Sequence, residues 1–167
     1  MEKTDRCSGI RVDTFGAFVT GELVDVAGTV QTDMVSGERY VLPDFGWPRL
    51  TGGFMLLSPL GMTAQRLGGG PLGLQAGVVG GTGLNNIGLL VTTWGKVVAV
   101  DGSASPTWFT IDDGGGQTAK VTFPTGVPLP VAINDVVSVT GACSCENPGG
   151  GISRVVRARG GSDIIRR

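Results

Sequence analysis

The side chains able to do chemistry are few and are not arranged for it. The 167-residue chain has no histidine and three cysteines, Cys7, Cys143 and Cys145. Without imidazole, the commonest general base and the commonest metal ligand are both missing. Cys143-Ser144-Cys145 has no second Cys or His pair to complete a four-ligand zinc site. Positions two apart on a strand point the same way, so the two thiols suit sheet packing equally well. An odd number of cysteines leaves at least one thiol free or pairing between chains. Asp112-Asp113-Gly114 starts like a calcium loop, but the later ligands do not follow, and it reads as a hairpin turn. Gly68–Gly70 and Gly114–Gly116 lack the Lys-Ser/Thr and the helix that a phosphate loop needs. Glu2, Asp5 and Glu22 fall in no pattern of paired carboxylates. These observations predict no catalytic residue, no metal ligand set and no cofactor.

Binding chemistry is better represented. Trp94 and Trp108 have the flat faces on which bases or sugar rings stack, and Lys96, Lys120, Arg154 and Arg157 have the charge to meet phosphate. These six residues are the candidate ligand-binding set. The alternative role for both tryptophans is packing against the segment 51–88. Only 6% of residues are aromatic and the net charge is −1, so no global field draws in nucleic acid or an anionic membrane. After Glu146 the charged residues are Arg154, Arg157, Arg159, Asp163, Arg166 and Arg167, a basic run that reads first as a solvated edge.

Strands must position these residues. Glycine numbers 30, well above its usual share of about 7% and without a Gly-X-Y period, as expected for many short strands joined by glycine turns. The one short helical signal is 61–67, after Pro59 and before three glycines. The C-terminal half gives a long β-rich run at 89–100 with Gly95 inside it, where a bend or bulge is expected. Strands at 107–112, 119–123, 135–141 and 152–159 follow, each alternating apolar and polar residues.

Three pieces in order, Trp94-Gly95-Lys96-Val97, Phe109–Gly114 and Asn134–Gly141, resemble the OB fold. It is the small five-stranded barrel found in nucleic-acid-binding proteins and in secreted bacterial proteins of uncharacterised function. The joint Gly83-Leu84-Asn85-Asn86-Ile87-Gly88-Leu89-Leu90-Val91 is similar to a glycine-rich joint that precedes the second barrel in tandem modules of that secreted group. The resemblance implies a binding module and an extracellular setting, although MEKTDRCSGIRV has no apolar signal core. No apolar run of about 18 residues predicts a membrane span.

The N-terminal half repeats part of the plan. Gly21–Gly28 parallels Asn134–Gly141, pairing Val24 with Val137, Val26 with Val139 and Gly28 with Gly141. Gly9–Val12 parallels Thr118–Val121, and Glu38–Leu42 parallels the strand from Ile152. Met1 then falls opposite Thr110, so the first unit has no counterpart of the bent strand 89–100. The expected fold is all-β, with two OB-like five-stranded barrels. The first, residues 1–50, is incomplete; a Gly/Leu-rich packed connector, 51–87, leads to a complete barrel at 88–167. Residues 54–58, part of 74–82, or a strand from another chain are the candidates to fill the gap. The expected function is non-catalytic: structural assembly or protein–protein interaction by strand addition, through self-association or within a parent polypeptide. The alternative is binding of single-stranded nucleic acid or a glycan on the barrel face.

Overall fold

The computed structural model of the chain describes every residue except 4–7, 15, 17, 129 and 130. Cys7 and Asp5 therefore lie outside the described residues. The described chain is all-β. Five strands close into a barrel: β7 (Leu90–Val100), β8 (Trp108–Asp112), β9 (Thr118–Thr122), β10 (Val136–Glu146) and β11 (Ser153–Arg157). β7, β8 and β9 form an antiparallel meander. β11 then runs parallel to β9 and antiparallel to β10, and β10 closes on β7 with Ser138 opposite Trp94.

Period-two alternation builds this barrel. Val91, Val97, Phe109, Ile111, Ala119, Val121, Val137, Val139 and Val156 point inward and are completely buried, while the residues between them face outward. The first half of β7 pairs β10 and its second half pairs β8. Gly95 lies where the strand passes from one to the other. A Cβ there would come within 2.8 Å of the Asp112 carbonyl oxygen, so only glycine permits the approach.

The connector plugs one end of the barrel. A short strand β6 (Leu60–Gly61) runs parallel to β7, and a 3-10 turn over Ala64–Arg66 stands where the sequence suggested a helix. Three residues suffice there, because what the barrel end needs is Ala64 and Leu67, both completely buried in the core. Asn86 fastens the turn. Its Oδ1 accepts the Gly68 N–H at 2.8 Å and the Cys143 thiol at 3.1 Å, and its Nδ2 donates to the Arg66 carbonyl at 2.7 Å. Packing of the connector is partial. Val78 and Ile87 are buried, but Phe54, Met55, Leu56, Leu72, Leu74 and Val79 remain exposed.

Among the described residues, the first 54 form no closed barrel. β1 (Arg11–Val12), β3 (Gly28–Thr32) and β4 (Arg39–Pro43) form one sheet, while β2 (Glu22–Asp25) and β5 (Arg49–Phe54) form a separate ribbon. Their registers nonetheless follow those of the barrel. β1 runs parallel to β4 with Val12 opposite Val41, as β9 runs parallel to β11 with Val121 opposite Val156. Val30 faces Val41 as Cys143 faces Val156. Val24 faces Leu50 as Val137 faces Arg166 on β12 (Ile164–Arg166). The sequence alignment slips by one residue in the last strand. It placed Val41 on Val155, whereas pairing places it on Val156, because the β3–β4 ladder ends at Thr32–Arg39, one pair earlier than the β10–β11 ladder, which runs on to Glu146–Ser153 before a turn of equal length.

Candidate functional site

Among the described residues, no strand covers in the N-terminal half the two edges that β7 and β8 cover in the barrel. Within β10, Val137 pairs Gly95 of β7 on one edge and Arg166 of β12 on the other. Its counterpart Val24 has the β12-like partner, Leu50 of β5, and among the described residues no strand lies on the other side. β1 likewise has β4 as its one strand partner. Just before β1, Met1 and Ile10 exchange backbone hydrogen bonds of 2.6 and 2.8 Å, and Glu2 bridges Gly9. This is the pairing that Ile111 and Asp112 make with Ala119 and Thr118. Met1 thus corresponds to Ile111, one residue from the position the sequence suggested.

Neither intrachain candidate fills the gap. Phe54 ends β5 on the edge of β2 that is already covered, and 55–58 form no strand. Segment 74–82 adds no strand there: Gln75 Oε1 accepts the Arg39 N–H at 2.8 Å, and the Val79 N–H donates to the Ile152 carbonyl of the barrel at 2.8 Å.

The open edges leave an open apolar face. Val121, Val137, Val139 and Val156 are completely buried and Cys143 is 1% exposed; at the matching positions Val12, Val24, Val26 and Val41 are only half-buried and Val30 is 46% exposed. Among the described residues, every member of the two apolar cores comes from residue 64 onward. The N-terminal strands are held instead by polar contacts to the outer face of the barrel. The Ser144 hydroxyl donates to Glu38 at 2.8 Å and accepts from Arg157 Nε at 2.8 Å, and Arg157 Nη2 lies 3.9 Å from Glu38. A cavity of about 210 Å³ lies at this seam, lined in part by Met1, Ile10, Val12, Glu38 and Arg157.

The six candidate ligand residues are dispersed over three places. Trp94 and Lys96 lie exposed on the outer face of β7. Trp108, Lys120 and Arg157 share the outer face of β8, β9 and β11, through Trp108 opposite Thr122 and Thr122 opposite Arg157. There the Lys120 ammonium sits 5.2 Å from the centre of the Trp108 ring and 2.8 Å from Glu146, so its charge is already compensated. Arg154 is buried at the barrel end, where it donates to the Gln117 side chain at 2.6 Å and to the Val79 carbonyl at 3.0 Å. Its guanidinium binds the connector. No sequence signal marks that role, because its partners lie 37 and 75 residues away.

Burial pushes the thiols of Cys143 and Cys145 up to about 12. Both are neutral packing groups, with little thiolate to react or to bind metal. Among the described residues no cluster of three or more metal-binding side chains occurs. No helix among them is long and apolar enough to cross a membrane. The sequence matches no known protein family and no curated protein.

Proposed function

We propose that the chain is a non-catalytic assembly module, in which an OB-type barrel serves as a rigid base and the N-terminal half accepts a strand from another polypeptide. The strand order of the barrel supports the OB assignment: a meander, a third strand parallel to the fifth, and a fourth strand closing on the first. The observation that carries the reading is the contrast in burial at matched positions, Val24 and Val30 against Val137 and Cys143. A strand edge with unpaired N–H and C=O groups beside an unfilled apolar face is the substrate of β-augmentation. The added main-chain bonds satisfy the edge, and alternate side chains cover the face.

A peptide of residues 88–100, which carries the β7 sequence, tests this. Added to the full chain, it slows amide exchange at residues 22–29 and leaves exchange in β7–β11 unchanged. Unchanged exchange at 22–29 with saturating peptide would remove the strand-addition reading.

A second reading rests on Trp94. Its indole is 48% exposed beside the exposed Lys96, with Ser138 across the ladder, an arrangement that offers one stacking face and one cation to single-stranded nucleic acid or a sugar ring. Quenching of Trp fluorescence by oligo-dT at low salt, relieved by added salt, supports it. No quenching sinks the nucleic-acid form.

A further inference from the structure

We infer that the gap accepts a β-hairpin from a partner polypeptide, with one strand on β2, the other on β1, and basic residues facing Asp25 and Asp13. This rests on the strand-addition reading and specifies its ligand. The barrel is the internal template. There, two consecutive strands, β7 and β8, lie between β10 and β9. The matching space in the N-terminal half is bounded by β2 and β1, each with one edge open among the described residues. A single strand on β2 would leave its own far edge unpaired and the face beside Val12 uncovered; a hairpin covers both edges at once.

The register fixes what the hairpin must carry. In the template Val97, Phe109 and Ile111 point into the core, so the incoming strands need apolar residues at alternate positions. On the outer side, Trp94 faces Ser138 and Trp108 faces Thr122. The counterparts of Ser138 and Thr122 are Asp25 and Asp13, both exposed. Cations opposite these carboxylates form favourable cross-strand pairs. Residues 1–3 already pair with 8–10, so the incoming second strand pairs with 11–13. In a second copy of this chain β7 and β8 are built into its own barrel, so that hairpin is not free to enter the gap.

The test uses the full chain and three synthetic peptides: residues 88–110, the same peptide with Trp94→Lys and Trp108→Lys, and residues 88–100 alone. The hairpin peptides are expected to bind one to one and to slow amide exchange at both 11–13 and 22–29. The lysine form should bind about threefold to tenfold tighter at low salt, an advantage that shrinks as salt is added. Val24→Glu in the protein should abolish binding, with exchange in β7–β11 unchanged as proof that the barrel stays folded. If 88–100 binds as tightly as 88–110 and residues 11–13 stay unprotected, the hairpin inference is overturned while strand addition survives. If no peptide binds, both fall. A concentration-dependent dimer that protects 22–29 without peptide would make a second copy the occupant and overturn the inference.

Discussion

The Glu38 carboxylate accepts a hydrogen bond of 2.8 Å from the Ser144 hydroxyl across the seam between the N-terminal strands and the barrel. Glu38 is 3% exposed and Ser144 is 1% exposed. A carboxylate so buried needs its partners. Its Arg11 and Arg157 neighbours stand off at 3.8 and 3.9 Å. Among the described residues the Ser144 hydroxyl is therefore the close donor, and Arg157 Nε, which donates to it, orients that hydroxyl.

Ser144→Ala is expected to loosen the N-terminal strands from the barrel. Removing a hydrogen bond to a buried charge costs about 1.5–3 kcal/mol. The loss should fall on the seam, since Ser144 faces outward from β10. Amide exchange at β3 and β4 should accelerate, with Val137 and Val139 as protected as before. An unchanged exchange pattern at β3 and β4 would mean that the seam is held elsewhere.

The barrel was legible in the sequence because its strands alternate strictly and Gly95 marks the bend. In the N-terminal half the strand around Val24 was legible, and its pairing with Leu50 parallels that of Val137 with Arg166. Two things were not. The slip at Val41 arises because the β3–β4 ladder ends one pair earlier than the β10–β11 ladder, and alternation along a strand does not mark where its pairing stops. The role of Arg154 depends on a carbonyl and a glutamine brought to it by tertiary packing, and a buried arginine looks like any other in a basic run. Asn86 lies between these cases. The sequence picked out its joint by resemblance, but its part in fixing the 3-10 turn at Arg66 and Gly68 is a matter of three-dimensional contact.

Asp33 gives the N-terminal half an acid-sensitive anchor. The Val35 N–H first, then the Arg11 guanidinium and the Ser36 N–H, hold its carboxyl down to about 2. The unfolded value is about 3.9, so between these values the unfolded chain binds more protons than the folded one. The stabilisation is therefore present above about pH 4 and is lost as pH falls toward 2. The Val35 and Ser36 amide resonances should titrate with a midpoint near that of the folded carboxyl, and Asp33→Asn should remove the titration. A midpoint near 4 would show that the turn does not hold the carboxylate.

Two glycines test whether the halves share one strand geometry. A Cβ on Gly141 would lie 2.4 Å from the Arg157 carbonyl oxygen, and a Cβ on Gly28 would lie 2.2 Å from that of Leu42. Both clashes are with backbone across the same ladder position, so either can be relieved only by parting two strands. In the barrel those strands enclose a filled core. Gly141→Ala should therefore lower the unfolding free energy of the whole barrel by about 1–3 kcal/mol, the usual cost of overpacking. In the N-terminal half β3 is exposed along its length, and the strands have room to part. Gly28→Ala should speed amide exchange in β3 and β4 while leaving barrel unfolding within about 0.5 kcal/mol of the parent, as for a change remote from the core. Denaturant unfolding followed by tryptophan fluorescence, with amide exchange as the local probe, separates the two. Equal losses of barrel stability would show that the halves unfold as one cooperative unit, with the N-terminal strands contributing to the core they do not enter.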